Sequence, residues 1–317
     1  MIHLFKQCLL PGAAILAFTQ LSLAATSDTP QAHIEIEKYG NSYPRSQFGE
    51  LKAIYREHIA EAEIESIDVV RNISYGPHPL HRLDVHRPPP AAGDAMPILV
   101  FIHGGGFVGG DKSDGAIFDN VLNYFASRGV LGINGNYRLA PEFQWPSGAD
   151  DIRGILQWVT ENAAEYRGDP NNVILMGHSA GASHVAAYTF IEDLQLNGGN
   201  DGVRGSVLVS GIYKEGSEQS NRAYYGSNPD LWKERMSINH IGGRSIPLFV
   251  ISAEYDPTSM QKESIGLIDA ICDRDDKCPR HKQVAGHNHY SEIYHINTAD
   301  DSIASDIMDF ISQMSRK

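Results

Sequence analysis

The sequence has only three cysteines in 317 residues, no cluster of lysine and arginine, no internal repeat, and no apolar run after the first two dozen residues that could span a bilayer. The missing basic cluster, with 26 Lys+Arg against 39 Asp+Glu and a net charge of −13, disfavours a nucleic-acid partner. The missing long runs exclude a membrane bundle, and the high glycine content excludes a long coiled coil. What is abundant is glycine, at 30 residues, beside 42% hydrophobic and 21% charged residues. Such a chain buries a large core, and its glycines mark tight turns around a site.

Residues 1–24 read as a secretory signal peptide. Lys6 gives the positive start, 8–18 is a short apolar run, and Ser22-Leu23-Ala24 offers the small residues a signal peptidase reads. Cys8 leaves with that leader, so the exported chain keeps Cys272 and Cys278, flanking a charged turn. The expected location is secreted or periplasmic, where these two form a disulfide that pins one turn. No stable membrane association is expected after cleavage.

Residues 25–66 form an N-terminal segment. Leu51, Ile54, Tyr55, Ile59 and Ala62 are spaced as on one face of a helix over 49–64, and that helix is expected to lie over the main domain. From 67 to 317 short apolar runs alternate with helical stretches. Strands are expected at 82–86, 98–103, 130–136, 173–176, 207–210, 248–252 and 282–285. Helices are expected at 117–127, 149–166, 180–194, 259–272 and 303–314. Continuous Val/Ile/Leu runs between helices predict an α/β domain, with a mostly parallel central sheet and helices on both faces. Its site belongs at the carboxyl ends of the strands.

Two motifs stand at such ends. The run 173–176 leads into Gly177-His178-Ser179-Ala180-Gly181 and then a helix, the strand–turn–helix context of a nucleophile elbow with Ser179 at its tip. The run 98–102 leads into His103-Gly104-Gly105-Gly106, whose backbone N–H groups can stabilise an oxyanion. Gly105, Gly106 and Ala180 are the expected donors, and His103 braces the loop.

A serine nucleophile needs a base and an orienting carboxylate, in this fold in the order serine, acid, histidine. The run 248–252 ends at Glu254 and Asp256, of which Asp256 is the expected acid and Glu254 the structural one. The last run is followed by His287 and His289, and chain order alone does not choose between them. A second reading takes His281, His287, His289 and His295 as a metal-binding group, but leaves both glycine motifs unexplained. A third, a non-catalytic binding module, is disfavoured because no member of the triad is missing.

The blocks His103-Gly104-Gly105-Gly106-Phe107, Asn136-Tyr137-Arg138-Leu139-Ala140-Pro141-Glu142, Gly168-Asp169-Pro170 and Gly177–Gly181 resemble the α/β-hydrolase esterases of the hormone-sensitive-lipase and kynurenine-formamidase type. The similarity runs over about 67–314. It implies the α/β-hydrolase fold and a Ser179–Asp256–His289 triad, His289 being favoured because Tyr290 follows it. It also implies hydrolysis of short-acyl or aryl carboxylic esters with no cofactor and a small-molecule ester as partner. A formamidase or polysaccharide deacetylase is the alternative. His178 stands where hormone-sensitive-lipase relatives often carry an acid, and Arg138 and Glu142 are expected in structural ion pairs. The excursion at 211–246, with Tyr213, Tyr224, Tyr225 and Trp232, is expected either to wall the pocket or to pack onto the domain.

Overall fold

A computed structural model describes residues 36–41, 48–56, 67–90 and 95–315. The expected leader lies outside these residues, as does the expected helix beyond residue 56. No helix among the described residues is long and apolar enough to cross a membrane.

In chain order the principal elements are α1 (Phe48–Arg56), β1 (Asp68–Ser74), β2 (Arg82–Arg87), β3 (Met96–Ile102), α2 (Ile117–Ser127), β4 (Leu131–Gly135), α3 (Ser147–Asn162), β5 (Gly168–His178) and α4 (Ala180–Phe190). There follow β6 (Val203–Val209), the short helices α5 (Glu218–Tyr224) and α6 (Trp232–Arg235), β7 (Leu248–Ala253), α7 (Thr258–Asp275), β8 (Arg280–Val284), α8 (Ser291–Tyr294) and α9 (Ala304–Ser315). The strands form one sheet in the order β1-β2-β4-β3-β5-β6-β7-β8. β2 is antiparallel to both its neighbours, and every pairing from β4 to β8 is parallel.

The apolar runs are continuous because both faces of the sheet are covered. Ile98, Val100, Val173 and Leu175 point into one core, against Ile152, Ile155 and Val185 of α3 and α4. Leu99, Phe101, Ile174 and Met176 point into the other, against Leu122 of α2 and Ile307 and Phe310 of α9. Successive strand residues face opposite ways, so a strand buried on both faces must be apolar at every position. Each such side chain contributes roughly 2 kcal/mol by burial.

All seven expected strands are present within a few residues, and β1 is an eighth that apolar pattern did not mark. It is the sheet edge, exposed or half-buried along its length, with a register shift between Val70 and Ile73. An edge strand needs no second apolar face. Two expected helices are shorter than their patterns: α3 gives way to a 3₁₀ turn at Ala163–Tyr166, and α4 to one at Glu192–Leu194. The sulfurs of Cys272 and Cys278, at the end of α7 and just beyond it, are paired with Cα atoms 4.1 Å apart.

Candidate active site

Ser179 sits between β5 and α4 with φ 54° and ψ −121°, a conformation that L-residues rarely adopt. The turn is possible because its flanks lack side chains. A Cβ on Gly177 would lie 2.4 Å from Gly181 O, and a Cβ on Gly181 only 2.1 Å from Ile102 O. The second approach presses α4 onto the end of β3, where the His103–Gly106 loop begins. A Cβ on Gly104 would stand 3.1 Å from Ser179 Cβ, so that loop abuts the serine. His103 is buried, bonds the Gly104 carbonyl through Nδ1 at 2.6 Å and stacks on Tyr137 with ring centroids 4.5 Å apart. It braces the loop, as expected.

The loops after β7 and β8 bring the remaining groups. His289 Nε2 is 2.8 Å from Ser179 Oγ, and its Nδ1 is 2.9 Å from Asp256 Oδ1. Asp256 is fully buried, and its Oδ2 accepts from Ser210 Oγ at 2.5 Å and from the Ala253 N–H at 2.9 Å. Two donors thus hold the carboxylate in place, and the imidazole Nδ1 is the third group bonded to it. Nδ1 then carries the proton and Nε2 is the acceptor facing the serine hydroxyl, an assignment made from the hydrogen-bond network. Glu254 is exposed and accepts from the Gly286 N–H at 2.8 Å. It ties the two loops together and stands away from the imidazole.

The four histidines of the metal reading are distributed differently. His289 joins Ser179 and Asp256. His287 bonds Asp300 through Nε2 at 2.9 Å and Ser291 through Nδ1 at 3.1 Å, while His295 Nδ1 bonds Ser291 O at 2.8 Å. His281 is exposed on β8. Among the described residues, two groups of ligand-type side chains lie close enough to hold an ion: His178, His289 and Glu292, and His287, His295 and Asp300. The first contains the imidazole already hydrogen-bonded to Ser179, and in the second His287 and Asp300 are bonded to each other.

Several site residues escaped the sequence reading. Burial pushes the His178 imidazole well below its ordinary value, so it is neutral, and its Nε2–H donates to the His289 carbonyl at 2.6 Å. Its position before the serine was noted, but not this tie to the His289 backbone. Ser210, the last residue of the expected strand 207–210, had a signal in its place at a strand end. Glu292 had only its spacing of three from His289.

A cavity of about 420 Å³ opens above Ser179, lined by Gly104, Gly105 and Gly106 on one side and by Phe118, Tyr290 and Tyr294 with Lys52 and Asp114 on the other. Gly105 and Gly106 both have positive φ, 139° and 61°. The Ala180 N–H belongs to the first turn of α4, where backbone donors have no partner within the helix. Lys52 comes from α1, whose Leu51 and Tyr55 are buried against the domain, and it pairs with Asp114 at 2.5 Å. The N-terminal segment also reaches the triad: Asn41 Nδ2 donates to the Asp256 carbonyl at 2.7 Å.

The excursion at 211–246 does not wall this cavity. Tyr213, Tyr224 and Tyr225 are buried, and Tyr224 stacks on Phe107 with ring centroids 4.6 Å apart, so these rings pack the excursion onto the domain. Arg138 has its expected ion pair, with Asp151 at 2.7 Å. Glu142 is exposed and has none among the described residues.

Known proteins agree with this architecture. Residues 83–199 match the family model described as BD-FAE. Esterase B from Lactobacillus rhamnosis superposes with a TM-score of 0.72 at 19% identity, over 91% of this chain and 96% of its own. The Pyrobaculum calidifontis esterase gives 0.68 at 21%, over 92% and 99%. The chain has the α/β-hydrolase fold. Among curated proteins it is 28% identical to Esterase LipQ of Mycobacterium tuberculosis, over 64% of this chain and 52% of that protein. It is 40% identical to Carboxylesterase NlhH of the same species over 30% of this chain and 29% of the relative. The chain thus spans about half or less of the length of these relatives.

Proposed function

We propose that this α/β-hydrolase is a secreted serine carboxylesterase acting on short-acyl or aryl carboxylic esters. The observation that carries the reading is the unbroken hydrogen-bonded series from Ser179 through His289 to Asp256, at the floor of a cavity rimmed by Gly105 and Gly106. His289 takes the proton as Ser179 Oγ attacks the ester carbonyl, and Asp256 holds the imidazolium that forms. The N–H groups of Gly105, Gly106 and Ala180 receive the negative oxygen, each worth about 3 to 4 kcal/mol in such a site. Collapse of the tetrahedral adduct passes the proton from His289 to the leaving alcohol and leaves Ser179 acylated. Water, deprotonated by the same histidine, then releases the acid. The names of the curated relatives support the reaction class, and the cavity's size supports small acyl groups. Export rests on the leader-like first residues and on the Cys272–Cys278 pair, a disulfide that an oxidising compartment maintains.

A panel of p-nitrophenyl esters from acetyl to palmitoyl tests the substrate reading. Acyl chains of about two to six carbons are expected to turn over fastest. Faster hydrolysis of emulsified long-chain triglyceride, or no hydrolysis of any ester, contradicts it.

A further inference from the structure

Glu292, on α8, is a buried acid that the mechanism above does not use. Its side chain is fully buried, and neither carboxyl oxygen has a partner in hydrogen-bond geometry: the Ser210 hydroxyl lies close enough to favour its charged form but is bonded to Asp256 Oδ2. The groups facing it are His289, whose Nδ1 is 3.8 Å from Oε1, and His178, whose Nε2 is 3.5 Å away but donates to a backbone carbonyl. The Asp256 carboxylate, the Ser210 hydroxyl and the Tyr213 phenol are near enough to interact with it electrostatically. No lysine or arginine lies within ion-pair distance among the described residues. Two carboxyls therefore face one imidazole nitrogen, Asp256 at 2.9 Å and Glu292 at 3.8 Å. Asp256 holds the three donors, including the Ser210 hydroxyl, and so keeps the charge.

We propose that Glu292 is a second acid of the triad, a positioning residue that is protonated while Asp256 is charged and can replace Asp256 at Nδ1 of His289. Burial pushes its carboxyl well above the usual carboxylate range, and the neighbouring Asp256 charge adds to that shift. Removing Asp256 takes away that charge and opens the space the carboxylate filled. The approach needed is about 0.9 Å, the difference between 3.8 and 2.9 Å. Glu292 then gives up its proton to solvent and accepts from Nδ1–H.

The inference rests on the esterase reading, so ester hydrolysis by the unmodified enzyme is measured first. Its absence sinks that reading and this one together. With activity present, the test is a double-mutant cycle on Asp256 and Glu292, with pH profiles. Asp256→Asn keeps the space filled and presents an amide to Nδ1, and should lose about 10⁴-fold in kcat. Asp256→Ala should lose at least tenfold less than that, and its remaining activity should rise with pH as Glu292 ionises. Adding Glu292→Gln should return Asp256→Ala to the level of Asp256→Asn, whereas in the presence of Asp256 the same Glu292→Gln change should cost at least tenfold less than it does in the Asp256→Ala background. A purely structural Glu292 would give additive losses and no new titration. Asp256→Ala as inactive as Asp256→Asn, or additive effects, overturns the proposal. Asp256→Ser, which keeps a hydroxyl for Ser210 and the Ala253 N–H, is read in the same way if the alanine variant does not fold.

Discussion

A methyl group on Gly181 would sit 2.1 Å from Ile102 O and 2.6 Å from His103 O, both backbone atoms that cannot turn away. Gly181→Ala should therefore force α4 off the end of β3, carrying Ser179 away from the glycine loop. A loss of at least 10²-fold in kcat/KM with a lowered Tm is expected, measured on the purified variant. The two neighbouring histidines separate by their partners. On the proposed mechanism the three residues act as a unit, so His289→Ala should be as crippled as Ser179→Ala and the double variant little worse. The His287 ring is bonded to Ser291 and Asp300, so His287→Ala should keep kcat within about tenfold and lose about 1–3 kcal/mol of stability. A dead His287→Ala beside an active His289→Ala would reverse these assignments. Asp256, His289 and Ser179 were legible because strand-end motifs and chain order constrain them. Ser210, His178 and Glu292 were not, since each acts by facing another side chain or a backbone carbonyl across the fold.

The segment between β3 and α2 is anchored by a buried ion network as well as by its glycines. Asp84 on β2 is fully buried and meets Lys112 Nζ at 2.8 Å and Arg71 of β1 at 2.9 Å. The Lys112 N–H donates to Asn136 Oδ1, linking this segment to the end of β4. Asp84→Ala would leave Lys112 buried without its counter-charge, at a cost of about 3–5 kcal/mol, read as a fall in chemical-denaturation midpoint. A change below 1 kcal/mol would show the network to be unimportant. The same network explains why β1 was hidden: its polar residues are there to pair charges, with Arg71 reaching Asp84 and Asp119, and so carry no apolar period. The excursion at 211–246 was ambiguous for the opposite reason. Its aromatics fit a pocket wall or a packed interface equally well, and only their stacking on Phe107 decides. The helical spacing of Leu51 and Tyr55 did locate α1, but nothing in it showed that Lys52 would reach the cavity.

Taken over the whole chain, the acidic excess makes the molecule sensitive to low pH through its paired carboxylates. Burial pushes the Asp300 carboxyl up, but the hydrogen bond from His287, the charge of His295 and the Ser302 hydroxyl outweigh it and hold the group well below its ordinary value. A carboxylate depressed in the folded state contributes stability that is complete above the unfolded value, near 4, and is lost as pH falls below it. Asp300→Asn should lower Tm at neutral pH and flatten its decline below about pH 4; an unchanged slope would show that another group governs acid unfolding. The fold itself was readable because a sheet covered on both faces leaves so little freedom to its strands. The site was readable to the extent that backbone geometry, through Gly177, Gly181 and the 104–106 loop, has to be written in glycine. The central proposal is that one serine, Ser179, is activated by His289 and Asp256. Treating the protein with a fluorophosphonate and mapping the adduct by peptide mass spectrometry tests this most directly. A single stoichiometric adduct on Ser179 is expected, formed with loss of ester hydrolysis and absent from a folded Ser179→Ala variant. Full activity after treatment, or an adduct on a different residue, would contradict it.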